Sequence, residues 1–296
     1  SEWGEIPNFK CFGYYGGMPK LNLKNPEVEK YITDVACYWI KECDIDGWRL
    51  DVGDEISHFF WKNFRKAVKA VKKDMLIIGE IWHYAGDFLE GDEWDTVMNY
   101  PFYLNLIDLL ADEKITVSQF VQNLGYLKGR LHKNCYPLMW NLIDSHDTAR
   151  FLHLCNDNKK KQHLAAAFQL LLPGMPMIYY GDEYAMPGAN DPDCRRGMYW
   201  DEEYQDKEMY EWYKRLIQVR KSHACIVEGE LAGSVTEDEE GTIVLIRKNG
   251  EETIAMIFNC SSSAKKFNEY TQKYNLLTEN TFDGNVEGFD AAVIVL

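Results

Sequence analysis

Several features are scarce in this 296-residue sequence, and each scarcity removes a class of protein. Positive charge is outweighed: 32 Lys and Arg stand against 47 Asp and Glu. The resulting net charge of −15 argues against nucleic acid or an anionic membrane surface as the main partner. No apolar run approaches the roughly 20 residues of a membrane span. No CxxC pair occurs among the cysteines, which lie at 11, 37, 43, 135, 155, 194, 225 and 260. That spacing speaks against a cysteine zinc site and reads as scattered buried thiols in a reducing, cytoplasmic compartment rather than a disulfide framework. Internal repeats and low-complexity tracts are absent as well, and no signal peptide is expected from the residues given. The chain opens on Ser-Glu-Trp rather than Met, so the expectation is that its own start lies upstream.

What is present is an ordinary globular composition, 46% hydrophobic and 27% charged, in a chain long enough for one large domain and a small one. Residues 1–22 are rich in Gly and aromatics without a period, which predicts a long irregular loop. Asn25-Pro26 starts a helix whose apolar face is Val28, Ile32, Val35, Ala36, Trp39, Ile40 and Cys43. Ser57 caps a second helix with Phe60, Phe64, Val68 and Val71 inward. Further helices are predicted near 102–111, 116–131, 159–172 and 205–221, and strands at 45–51, 75–80, 96–100, 138–144 and 176–180. Strand and helix in alternation imply parallel βαβ units. After residue 222 the texture changes to short β-rich runs, Thr242–Arg247, Thr253–Asn259 and Ala291–Leu296, split by Gly, Asn and Ser. The expected division is therefore an α/β part at 1–222 and an all-β sandwich domain at 223–296.

Three acids, Asp51, Glu80 and Asp147, each lie at the far end of a strand-length apolar run. Parallel strands present their C-terminal ends on one edge, where barrel and open α/β enzymes keep their chemistry. Arg49 and Asp51 point to the same face of their strand, so Arg49 can hold a carboxylate ionised, as a nucleophile requires. Glu80 lies between Ile-Ile-Gly and Ile81-Trp82, an apolar and aromatic setting that favours a protonated acid. One ionised and one protonated carboxyl form the pairing used in glycoside hydrolysis, and the aromatic residues could then include platforms for sugar rings. Singly, Arg49–Asp51 reads equally well as a structural ion pair, Glu80 as a helix cap and His146–Asp147 as a polar turn. Three such residues at three strand ends of one series are harder to dismiss.

Gly47-Trp-Arg-Leu-Asp-Val52, Gly79-Glu-Ile-Trp82 and Ser145-His-Asp147 resemble three conserved segments of the α-amylase family of glycoside hydrolases. Met18-Pro-Lys-Leu-Asn22, Glu55, Gly181-Asp-Glu183 and Asp191-Pro-Asp-Cys-Arg-Arg196 resemble markers of its neopullulanase, cyclomaltodextrinase and maltogenic amylase subfamily. The resemblance spans residues 18–200. It implies a (β/α)8 TIM-barrel, of which this chain carries about the last five βα units, followed by the β-sandwich. It also implies a retaining hydrolase of α-1,4-glucosidic bonds in maltooligosaccharides, cyclodextrins, pullulan or starch, with transglycosylation as a side activity. Asp51 would be the nucleophile, Glu80 the general acid/base and Asp147 the transition-state stabiliser. Arg49 would position Asp51; His146, Asp191, Arg195 and Glu55 would bind substrate, and His83 and His58 would serve the acceptor side. Gly53-Asp54 and Gly197 depart from the subfamily's usual residues at those positions.

The resemblance leaves alternatives open. The first three strands of the barrel are not found, so the chain reads as the C-terminal part of a longer enzyme and could be an inactive fragment by itself. A non-catalytic, carbohydrate-binding member and an α-glucosidase are the rival readings. No cofactor is read from these residues. Calcium is left to segments upstream, and a homodimer to the full-length protein.

Overall fold

The computed structural model describes residues 8–132 and 134–296, so the first seven residues of the predicted 1–22 loop lie outside it. The chain divides into two compact units, Ser1–Met98 and Asn99–Leu296.

In the first unit, helix α1 (Pro26–Cys43) starts where Asn25 accepts a hydrogen bond from the Glu27 N–H, with Pro26 in the first turn. Strand β1 (Gly47–Leu50) follows, then helix α2 (His58–Val71), capped by Ser57 through the Phe60 N–H. Strand β2 (Leu76–Gly79) runs parallel to β1 with Leu50 opposite Gly79, and the short β3 (Thr96–Val97) adds to its other side. Ile77 and Ile78 point to opposite faces and both are buried, as in a parallel strand covered on two sides. Phe60, Trp61, Phe64 and Val68 line the inward stripe of α2. Lys72, just past the end of α2, donates to Asp44 and Asp46 and ties that end to the entry of β1. The predicted face of α1 is narrower than its sequence period implies. Ala36 and Ile40 are buried, but Val35, Trp39 and Cys43 are exposed, because the helix buries only a thin stripe, packed against α2.

The second unit opens with α3 (Tyr100–Leu106), which continues as one wide turn over Ile107–Ala111. Helix α4 (Val117–Arg130) begins in a reciprocal capping box between Thr116 and Gln119. Strand β4 (Trp140–Leu142) pairs in parallel with β5 (Met175–Met177), and α5 (Phe151–Leu154) and α6 (Lys159–Leu171) lie between them in the chain. The predicted five-strand series is therefore present as a three-stranded and a two-stranded parallel sheet. Helix α6 is buried nearly all round. Arg220 of α7 (Lys207–Ser222) caps its C-terminal end by donating to the carbonyls of Leu170, Leu172 and Gly174.

After the short α8 (Cys225–Glu228) come β6 (Glu230–Glu237), β7 (Thr242–Asn249) and β8 (Glu252–Asn259). The chain ends with β9 (Lys265–Lys266), β10 (Tyr274–Asn275), β11 (Asn280–Thr281), β12 (Asn285–Val286) and β13 (Asp290–Val295). Six of these form an antiparallel sheet in the order β11-β10-β13-β8-β7-β6, and β9 pairs with β12. Alternation along the strands sends Ile243, Met256 and Phe258 into one cluster with α6, where Phe258 stacks on Phe168 at 4.2 Å. Val244, Ile257 and Ile294 face the other way, onto Phe267, Phe282 and Val286. Cys11, Cys37, Cys43, Cys155, Cys194, Cys225 and Cys260 are free thiols, and Cys135, Cys155, Cys194 and Cys225 are buried.

Candidate active site

Asp51 and Glu80 follow neighbouring parallel strands, and the register that sets Leu50 beside Gly79 brings the two acids to adjacent strand ends. Arg49, one pleat back, connects them. Its Nη1 donates to Asp51, and its Nη2 lies 3.4 Å from Glu80 Oε1. The two carboxyls differ in access: the Asp51 side chain is 71% exposed and that of Glu80 only 6%. The apolar setting expected for Glu80 surrounds its backbone, not its carboxyl. Oε2 accepts the Val52 N–H at 2.7 Å, and Oε1 accepts the Trp82 indole N–H at 3.1 Å. One of these partners, Val52, comes from a turn 28 residues away in sequence, and the other is the polar edge of Trp82, two residues on. That turn is itself unusual. Val52 has φ of +47°, rare for a β-branched residue, and the next N–H, on Gly53, donates to the Glu80 carbonyl at 3.1 Å.

Glu55 and His83 occupy the loops after β1 and β2. Glu55 is engaged by the loop that precedes α1. Lys20 pairs with its carboxylate and donates to its carbonyl at 3.2 Å, and the Gly13 N–H reaches Oε1 at 3.3 Å. His83 Nε2 meets Asp54 Oδ2 at 3.1 Å and so bridges the two strand-end loops. His58 lies against Glu93 at 2.9 Å and stacks on Phe88. Burial pushes the Glu93 carboxyl up, against the opposing pull of His58.

In the second unit, the turn after β4 carries His146 and Asp147, 3.1 Å apart at Nε2 and Oδ2. Arg195 gathers the remaining expected residues around them. Its Nη2 donates to Asp147 Oδ1 at 3.2 Å and its Nε to the His146 carbonyl at 2.8 Å, while Nε also lies 2.8 Å from Asp191. Each unit thus assembles its own share of the expected set: Arg49, Asp51 and Glu80 in one, His146, Asp147, Asp191 and Arg195 in the other. Sequence reading missed the Glu80 partners Val52 and Trp82, the His83 partner Asp54 and the His58 partner Glu93. The segments Gly47–Val52 and Gly79–Trp82 contained the two Glu80 partners, the departure at Gly53-Asp54 pointed at Asp54, and no signal pointed at Glu93. Among the described residues, no three His, Cys, Asp or Glu side chains are grouped to hold a metal ion, and no helix is long and apolar enough to cross a membrane.

Comparison with known proteins places the chain in a family. The family profile described as "Alpha amylase, catalytic domain" matches residues 5–229. A cyclomaltodextrinase of Geobacillus thermopakistaniensis is 46% identical over 258 residues, covering 87% of this chain and 44% of the relative. Neopullulanase 2 of Thermoactinomyces vulgaris is 42% identical over 242 residues, covering 82% and 41%. A solved cyclomaltodextrinase structure superimposes with a TM-score of 0.92 at 35% identity, covering 98% of this chain and 52% of that one. The chain therefore spans about half the length, or less, of these three relatives. Its parallel βα units are those of the family's TIM-barrel, with an antiparallel β-sheet after them. A profile match over three quarters of the sequence, joined to relatives above 40% identity, establishes that the chain belongs to the alpha-amylase family.

Proposed function

We propose that this chain carries the catalytic acids of a retaining glycoside hydrolase that cleaves α-1,4-glucosidic bonds in maltooligosaccharides, cyclodextrins, pullulan or starch, with transglycosylation as a side activity. The observation that carries the reading is the pair of strand-end acids joined by one guanidinium, one exposed and one buried among fixed donors. The exposed Asp51, held by Arg49, attacks the anomeric carbon while Glu80 gives its proton to the departing glycosidic oxygen. A covalent glycosyl–enzyme results. Glu80 then takes a proton from water, the water oxygen bonds the anomeric carbon, and Asp51 leaves. Such a mechanism needs the two carboxyls about 5–5.5 Å apart.

Asp147, steadied by His146 and Arg195, stabilises the oxocarbenium-like transition state, and Asp191 and Arg195 contact the next sugar. Glu55 and His83, fixed by Lys20 and Asp54, shape the acceptor side. The names of the relatives, cyclomaltodextrinase, neopullulanase and "Intracellular maltogenic amylase", support the substrate class. The last name, with the free thiols, supports a cytoplasmic setting. A boundary at 222/223 between catalytic and β domains, and a homodimer of the whole protein, belong to the same proposal.

Asp51→Asn tests it in the full-length protein. Without the nucleophile, cyclodextrin hydrolysis should fall by about 10⁴-fold or more while the fold persists. A variant that keeps ordinary activity overturns the assignment.

A further inference from the structure

Behind the turn that carries His146 and Asp147 lie two acids the proposed reaction does not use. Asp144 and Asp182 are both fully buried, and so is the single cation between their loops, Arg150. Arg150 Nη1 donates to Asp182 Oδ1 at 3.1 Å, and the Tyr179 N–H donates to Asp182 Oδ2 at 3.2 Å. Asp144 Oδ1 accepts the Phe151 N–H and so caps α5. Asp144 Oδ2, itself buried, has no donor among the described residues, and the two carboxyls lie near enough to act on each other's charge. Two carboxylates cannot bond to each other without a proton, and two buried anions against one cation leave an uncompensated charge.

We propose that Asp144 and Asp182 hold one proton between them, carried on Asp144 Oδ2 and donated to Asp182, and that this bond fixes the turn bearing His146 and Asp147. Arg150 and the Tyr179 N–H favour the ionised form at Asp182, which leaves the proton to Asp144. The bond joins the loop after β4 to the loop after β5. From Asp144 the turn is built outward: Ser145 N–H donates to Thr148 Oγ1 at 3.1 Å and Asp147 N–H to Ser145 Oγ at 3.1 Å. The other polar groups facing the pair are Tyr103 on α3, Cys155 after α5, Gln162 on α6, Tyr213 on α7 and Glu183 beside Asp182. None of these adds a positive charge. Burial first, and for Asp144 the facing carboxylate second, push both acids up.

Both acids are positioning residues, and their role rests on the proposed hydrolase only where activity is read. In the unfolded chain they titrate near ~3.9. The fold keeps the shared proton to higher pH, so it binds more protons than the unfolded chain across that window. Stability therefore falls as pH rises through it. Asp144→Asn places an N–H where the shared proton sits, keeps an acceptor for Phe151 and does not titrate. Thermal unfolding between pH 5 and pH 9 should give matching curves for wild type and D144N at the acid end. At pH 9 the variant should melt about 2–4 °C higher. D182N, which strips Arg150 of its anion, should melt lower at every pH. Infrared spectra of the wild type at pH 7 should show a protonated carboxyl band that D144N lacks, a readout of the wild type even if a variant does not fold. The alkaline limb of kcat for cyclodextrin should move upward in D144N. Parallel melting curves, no protonated carboxyl in the wild type, or D182N as the benign variant would each overturn the shared proton. Loss of hydrolysis in the wild type would count against the proposed function alone.

Discussion

Adding one methyl group at Gly79, the last residue of β2 before Glu80, tests how the proposed acid is held. A Cβ built there would lie 2.2 Å from Cε3 of Trp94 and 2.5 Å from its Cζ3. Carbon atoms at rest stay about 3.5–4.0 Å apart, so something must shift by more than about 1 Å. The indole cannot yield cheaply. Trp94 is 1% exposed, stacks on Phe88 at 4.2 Å and meets Trp61 edge-on at 5.9 Å. Trp61 in turn donates its indole N–H to the Gly53 carbonyl at 2.8 Å. Nor can the indole slide the other way, because a Cβ on Gly53 would already be 2.5 Å from Trp94 Cζ2. Gly79→Ala should therefore cost about 1–3 kcal/mol of stability through overpacking. In a chain of this size that is roughly 2–4 °C in Tm per kcal/mol. If the strain is relieved by moving Glu80 instead, a displacement near 1 Å should lower kcat on cyclodextrin about 100-fold. Trp94→Phe in the G79A background should recover part of either loss, since the smaller ring vacates the contact. Wild-type Tm together with wild-type kcat in G79A would refute the wedge, and so would strict additivity in the G79A/W94F cycle.

Lys20→Met should free the loop before α1 from Glu55, because the pair is part-buried and Lys20 also bonds the Glu55 carbonyl. Limited proteolysis should then cut near Gly16-Gly17 about 10-fold faster with little change in global Tm, and an unchanged rate would show that the loop is held elsewhere. Phe258→Ala removes a ring stacked on Phe168 in the cluster shared by α6 and the β-sheet, with an expected loss of about 3–5 kcal/mol by chemical denaturation. A loss below about 1 kcal/mol would mean that the sheet and α6 do not share a core.

Much of the architecture was legible because its signals are local. Asn25-Pro26 and Ser57 are caps readable within four residues, and both start helices as expected. The strand-length apolar runs before Asp51, Glu80 and Asp147 are strands, somewhat shorter than read. What stayed hidden depends on partners distant in sequence. Glu80 sits in an apolar stretch, yet its carboxyl is met by Val52, whose N–H reached it through the pairing of β1 with β2. Glu55 reads as a subfamily marker, and its partner Lys20, 35 residues upstream, is not signalled by its neighbours. Val35 and Trp39 fall on the apolar period of α1 and are nonetheless exposed, since periodicity fixes a direction and not the depth of what covers it. Asp144 and Asp182 are ordinary loop acids in sequence, and only their complete burial around Arg150 sets them apart.

The contacts of Glu80 also change what its role can mean. Its side chain receives the Val52 N–H and its carbonyl receives the Gly53 N–H, so one residue holds two successive N–H groups of the turn that follows Asp51. Val52 lies in the left-handed region, a conformation worth about 1–3 kcal/mol of strain that persists only where surrounding bonds over-determine it. Two of those bonds are made by Glu80. The proposed acid is thus also the support of the proposed nucleophile, and Arg49 adds a third link between them. A rate lost on removing the Glu80 carboxyl would then combine a missing proton donor with a displaced Asp51. The two strand ends work as one rigid unit, so the chemistry of either acid cannot be apportioned without holding the Val52 turn in place.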